Sequence, residues 1–210
     1  MSLSIAPPAM TLADPFMPFG TSHLAALATT LFCIVLLGWL SRQRRQTALR
    51  IVESILGCAL LSIPVFSAIA QHFAGALSLA TSLPLHYCDL AVICGGLGLL
   101  TRKHLAVEIV YFFGLAGTLQ GLLTPALQYD FPDLRYFHFF LLHGGVVAAA
   151  LHLVWNLGLR PRPWSIARML GVTVLYSAIA MLVNWLTGAN YGFFCEKPAN
   201  PSMIDHLGPW

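Results

Sequence analysis

The sequence predicts an all-α fold, a polytopic transmembrane helical bundle with its N-terminus outside the cell. Three observations point there: charge is scarce, six long apolar runs recur, and the basic residues are sorted to one side. Of 210 residues, 58% are apolar and only 9% are charged, against roughly a quarter in an ordinary soluble domain. With a mean hydropathy of +0.76, the chain has too few charged groups to cover a soluble surface. Disorder needs low hydrophobicity and high charge. A formal net charge of +3 is too small to suggest a nucleic-acid partner. The length suits one compact domain.

Residues 1–21 form the first element, an outer N-terminal segment. It lacks the basic start of a signal peptide, and Pro7, Pro8, Pro15 and Pro18 break any apolar helix. It is expected to lie on the membrane through Phe16, Met17 and Phe19. The bundle follows over 22–187, with six spans: Ser22–Leu40, Ile51–Ala70, Leu83–Leu100, Leu105–Leu123, Tyr136–Trp155 and Ser165–Leu186. Each matches the ~20 residues a bilayer core demands of a helix. The runs are continuous rather than ten-residue alternations, which excludes barrel strands. Lipid offers the backbone no partners, so each run must be helical. The polar tail 188–210, with Pro198, Pro201 and Pro209, is a second outer segment. No inverted repeat of the transporter kind is visible.

Orientation follows from the basic residues. Arg42, Arg44, Arg45 and Arg50 mark the first connection. Arg102 and Lys103 mark the third, and Arg160, Arg162 and Arg168 the fifth. The even connections carry only Arg135. Odd connections are therefore expected in the cytoplasm of a multi-pass cell-membrane protein. Asp14, Asp89, Asp130, Asp133, Glu196 and Asp205 then fall outside, six of the eight acids.

Ionisable groups inside a span cost a few kcal/mol each, so each needs a reason. The third span opens with His86, Cys88 and Asp89. The fourth closes with Gln120. The fifth opens with His138 and His143, and the sixth closes with Asn184, followed by Asn190, Tyr191 and Lys197. Four spans thus put hydrogen-bonding groups in their outer halves, which points to one polar site opening outward. Glu53, Glu108 and His152 lie near cytoplasmic ends and are read as interfacial or structural.

Cys88 has three readings. It is a nucleophile if a histidine supplies a base, a half-cystine if it joins Cys195, or an inert buried thiol like Cys33, Cys58 and Cys94. His86, His138 and His143 with Asp89 offer zinc chemistry, but no His-x₃-His or Glu-x-x-His spacing occurs, and no metal is assigned. Structural histidines are the alternative. Asp89 is read as the orienter of a histidine or the partner of Lys197 or Arg135. Asn190, Tyr191 and Lys197 either bind a ligand or form a plain loop. No lysine lies inside a span, against a retinal-type Schiff base.

Several runs then resemble a known family. They are Leu83-Pro84-Leu85-His86-Tyr87-Cys88-Asp89, Gly117-Thr118-Leu119-Gln120-Gly121, Phe131-Pro132-Asp133, His138 with His143-Gly144, and Gly188-Ala189-Asn190-Tyr191 with Cys195-Glu196-Lys197-Pro198. Together they look like the YwaF-like family of bacterial integral membrane proteins, over nearly the whole chain. The block running to Gly208-Pro209-Trp210 is the most specific. That family has a seventh span after this block, so seven are expected in the natural protein. It is similar, more distantly, to a eukaryotic membrane acyltransferase of ether-lipid remodelling that uses a cysteine and a histidine. It is also related to intramembrane hydrolases of fatty-acid esters of hydroxy fatty acids, which use a threonine and a histidine. The resemblance implies Cys88 as nucleophile, with His143 as base and His138 as the second choice.

The expected activity is a lipid acyltransferase or transacylase, with ester hydrolysis as its water-terminated variant. Membrane lipids are the expected partners. They carry the acyl chain, so no cofactor is called for. Asp89 or His86 would orient the base, and Gln120, Asn184 or Asn190 would donate to the oxyanion. The rival reading is a transporter or a lipid- or solute-binding protein that uses the same pocket without a covalent step.

Overall fold

The computed structural model describes residues 15–197. Pro7, Pro8 and Asp14, and the block from Pro198 to Trp210 with Asp205, lie outside the described residues. Six apolar helices follow in order: α1 (Thr21–Arg42), α2 (Gln46–Phe73), α3 (Tyr87–Thr101), α4 (His104–Leu123), α5 (Leu134–Asn156) and α6 (Ser165–Thr187). All but α3 are long and apolar enough to cross a membrane. The described chain is an all-helical bundle, and six helices stand where six spans were predicted.

Local chemistry sets the ends. Asp133 caps α5 by accepting from the Arg135 N–H at 2.8 Å. Gly188 closes α6 with φ of 70°, the left-handed conformation usual after a helix. Two helices are widened by a single π-helical turn, α4 at Gly114–Thr118 and α5 at His152–Asn156. Such turns are rare and cluster at functional positions.

The third span was expected from Leu83, but α3 begins at Tyr87. Pro84 pushes Leu83 out of helical geometry, and the His86 N–H is accepted by Asp89 Oδ2 at 3.0 Å, which fixes the start at His86. Fifteen residues reach only about 22 Å at the helical rise, so the non-helical run Leu83–His86 supplies the remaining depth. Irregular backbone at membrane depth persists only when its polar groups are satisfied by protein. Here they are: Leu83 N–H donates to Tyr191 Oη, and Tyr176 Oη donates to the carbonyls of Pro84 and His86.

The core sits around α5, with 72% of its apolar window buried, against 11% for α6. Leu37, Leu60, Val92, Leu99, Val107, Val146 and Leu153 fill it. α2 and α3 cross at Gly57 and Gly96, where a Cβ on Gly96 would meet the Gly57 carbonyl oxygen at 2.8 Å. Small residues allow such approaches in lipid.

One further expectation is corrected, and one open pair of readings is decided. Phe16 was assigned to the membrane surface, but it is buried against His23 and Phe140. Met17 and Phe19 are exposed. Of the two readings of Glu53 and Glu108, interfacial or structural, the structural one holds. Both are fully buried near the end of the bundle that carries the arginines, here the basic face. Glu53 accepts from His152 Nε2 at 2.7 Å and from Arg102 and Arg50. Glu108 holds Arg162 and Arg168.

Candidate functional site

The opposite face gathers the predicted chemistry. α3 brings Cys88 and Asp89 to its first turn, and α5 brings His138 and His143 to its first three turns. The Asp89 carboxylate interacts electrostatically with both His86 and His138, and His138 with His143. Tyr176 of α6 lies within electrostatic reach of Cys88 and Asp89. Side chains of three helices thus converge beside the break at Pro84.

His143 is buried and stacked on Phe139, ring centroids 4.0 Å apart. Its Nδ1 lies 2.8 Å from the Phe139 carbonyl oxygen. A carbonyl only accepts, so Nδ1 carries the proton and Nε2 is left basic. That nitrogen faces α4 at Gly121, where an added Cβ would approach it to 2.7 Å. The glycine is therefore what admits the ring.

His138 is half-buried and pairs its Nε2 with Ser67 Oγ at 2.8 Å. His86 Nδ1 accepts the Gly192 N–H at 3.4 Å, with its ring against Tyr191 and Phe193. Cys88 is a free, partly buried thiol at the margin of the main core. With the three histidines bonded elsewhere, thiol and imidazole are not paired among the described residues.

Other predicted residues occupy a neighbouring clasp. Asn184 Oδ1 accepts the Tyr191 N–H at 2.8 Å, and Asn184 Nδ2 donates to the Tyr191 carbonyl at 2.9 Å. Tyr191 Oη donates to Leu79 O. Asn190 Oδ1 accepts the Cys195 and Glu196 N–H groups. Asn184, Asn190 and Tyr191 are thereby committed to holding the 188–197 segment against α6. Gln120 and Lys197 are exposed. All five cysteines are free, so Cys88 and Cys195 form no disulfide. No three His, Cys, Asp or Glu side chains come together as a metal cage among the described residues.

Ser67 is the group that the sequence did not single out. It sits toward the end of α2 opposite the basic face, in a span where Glu53 alone had been singled out. The available signal was Ser67 and Gln71 spaced one helical turn apart.

Comparison with known proteins agrees with this architecture. The TMEM164 family model matches residues 18–210, and the chain belongs to that family. An uncharacterized protein of Treponema pallidum (strain Nichols) is 31% identical over 120 residues, 55% of this chain. The chain spans about half of that relative, 48% of its length. No solved structure matches.

Proposed function

We propose that this TMEM164-family membrane protein transfers acyl groups between lipids, with Cys88 as nucleophile and His143 as base. The observation that carries the reading is that a thiol, a carboxylate and a buried histidine with an unprotonated Nε2 lie at the same end of the bundle. Family membership and the resemblance to the Cys/His acyltransferase support it. The arginine-rich connections favour the cytoplasm for the basic face, which turns this end toward the outer leaflet.

In this reading the imidazole takes the Cys88 proton as sulfur attacks an ester carbonyl carbon of a phospholipid. The ester C–O bond breaks, and the departing lyso-lipid oxygen receives that proton. A lyso-lipid hydroxyl then attacks the thioester, gives its proton to the imidazole, and releases the thiolate; water in its place gives hydrolysis. Apo contacts between nucleophile and base are commonly loose, and here α3 and α5 must bring sulfur and Nε2 together. Gln120 remains as an oxyanion donor because Asn184 and Asn190 are engaged.

The test is intact-mass analysis of the purified protein incubated with phospholipid. The expected result is an acyl adduct that hydroxylamine removes and that Cys88→Ala lacks. Full lipid exchange by Cys88→Ala without any adduct would turn the reading toward a non-covalent lipid carrier using the same pocket.

A further inference from the structure

Six threonine hydroxyls of this bundle follow one rule, whereas Ser41, Ser67 and Ser177 bond across to another helix, and only Ser67 among these three meets a histidine. Thr29, Thr30, Thr101, Thr124, Thr173 and Thr187 each donate to the carbonyl four residues back on their own helix. That is how a hydroxyl in a transmembrane helix satisfies itself without a partner. Ser67 does not do this. Its Oγ lies 2.8 Å from Nε2 of His138, across the gap between α2 and α5. In the tautomer with the ring proton on Nδ1, the hydroxyl donates to Nε2.

The surroundings complete a catalytic pattern. The Asp89 carboxylate acts electrostatically on His138 from beyond ion-pair distance. Asp89 Oδ2 is held by the His86 N–H, which fixes the carboxylate. One turn beyond Ser67, the Gln71 carbonyl accepts from Ser82 Oγ. Nucleophile and base in hydrogen-bond contact, with a third group biasing the base, is the recognised geometry of an activated hydroxyl. Val65, Phe66 and Ile69 on α2 and Phe137 and Leu141 on α5 flank the pair with exposed apolar side chains. The two half-buried groups thus sit on helix turns whose neighbouring residues are exposed and apolar.

We infer that Ser67 and His138 form a second nucleophile–base pair, separate from Cys88, that cleaves carboxylic esters of membrane lipids. Ser67 Oγ bonds to the acyl carbon as its proton passes to His138 Nε2. The ester C–O bond breaks, and the leaving alcohol oxygen takes that proton. Water then attacks the acyl-serine, gives a proton to Nε2, and the Oγ–acyl bond breaks. The carboxylic acid departs and Ser67 regains its hydrogen. The pair stands whether or not Cys88 is acylated.

A hydrophobic alkyl fluorophosphonate tests this on the full-length protein in detergent. Its P–F bond breaks as an activated serine oxygen attacks phosphorus, and peptide mapping locates the adduct. The expected adduct is on Ser67 in the wild type and equally in Cys88→Ala. It is absent in Ser67→Ala and forms about a hundredfold more slowly in His138→Gln, the usual scale of general-base assistance. Unreacted Ser67 in the wild-type protein, under conditions that label a control serine esterase, overturns the inference. So does an undiminished labelling rate in a His138→Gln variant whose helical circular dichroism is intact. The wild-type map needs no variant to fold.

Discussion

The two ends of the bundle partner their acids and reactive groups differently, although Arg102 Nη1 at the basic face is buried without a hydrogen-bond partner. At the basic face every buried acid is saturated. Glu53 is shared by His152, Arg102 and Arg50, and Glu108 by Arg162 and Arg168. His152 Nδ1 is in turn met by Asn156 Nδ2 at 3.1 Å. At the opposite face the reactive groups keep capacity in reserve. His143 bonds through one ring nitrogen, Cys88 is a free thiol, and Ser67 has a base as its partner. Saturation ties helices together, whereas unspent bonding capacity is what chemistry requires. Both kinds of group are ionisable residues inside spans, and only their partners tell them apart.

Substitutions can break this contrast, beginning with the largest effect. Glu53→Ala removes the acceptor of three side chains, one of them the fully buried His152. It should destabilise the fold by about 3–5 kcal/mol, read as a lowered unfolding midpoint in detergent. A loss under 1 kcal/mol would show that the network is not structural. Asn184→Ala leaves the Tyr191 backbone without its partners and should cost about 2 kcal/mol. It should also expose the 188–197 segment to limited proteolysis. Gly121→Ala drives a methyl into the His143 ring and should cost about 1–2 kcal/mol from overpacking. On the proposed chemistry it should lose far more acyl transfer than stability, and equal losses of both would undo that reading of His143.

The smallest effect is at Asp133. Hydrogen bonds from Arg135 hold its carboxyl down to about 2, below the ordinary value near 3.9. A lowered value means that its stabilisation is complete above about pH 4 and is lost as pH falls toward 2. The unfolding midpoint of the wild type should therefore slip across that window more than that of Asp133→Asn, which keeps a cap but has no charge to lose.

The helices were legible because their signal is local: apolar length and proline position sit in consecutive residues. The grouping of Cys88, Asp89, His138 and His143 at one end was legible as depth along each span. Partnership was not. His86 reads as a ligand in sequence, yet Pro84 and Asp89 make it the residue that starts α3. Asn184 reads as an oxyanion donor, but its amide matches a backbone turn seven residues later. Ser67 escaped notice because a lone serine in an apolar span ordinarily bonds its own helix. Only the angle between α2 and α5 aims it at His138.

The π-helical turn at Gly114–Thr118 also bears on how this chain tolerates changes of length. A one-residue deletion inside an ordinary α-helix turns every later side chain by about 100° and ruins their packing. The wide turn already holds one residue more than an α-turn needs. Removing one of its five residues lets the segment relax to regular helix while Gly121 stays against His143. The same holds for His152–Asn156 and the connection to α6. Single-residue gaps among homologues should concentrate at these two turns, where the helix carries slack that the reactive end does not feel.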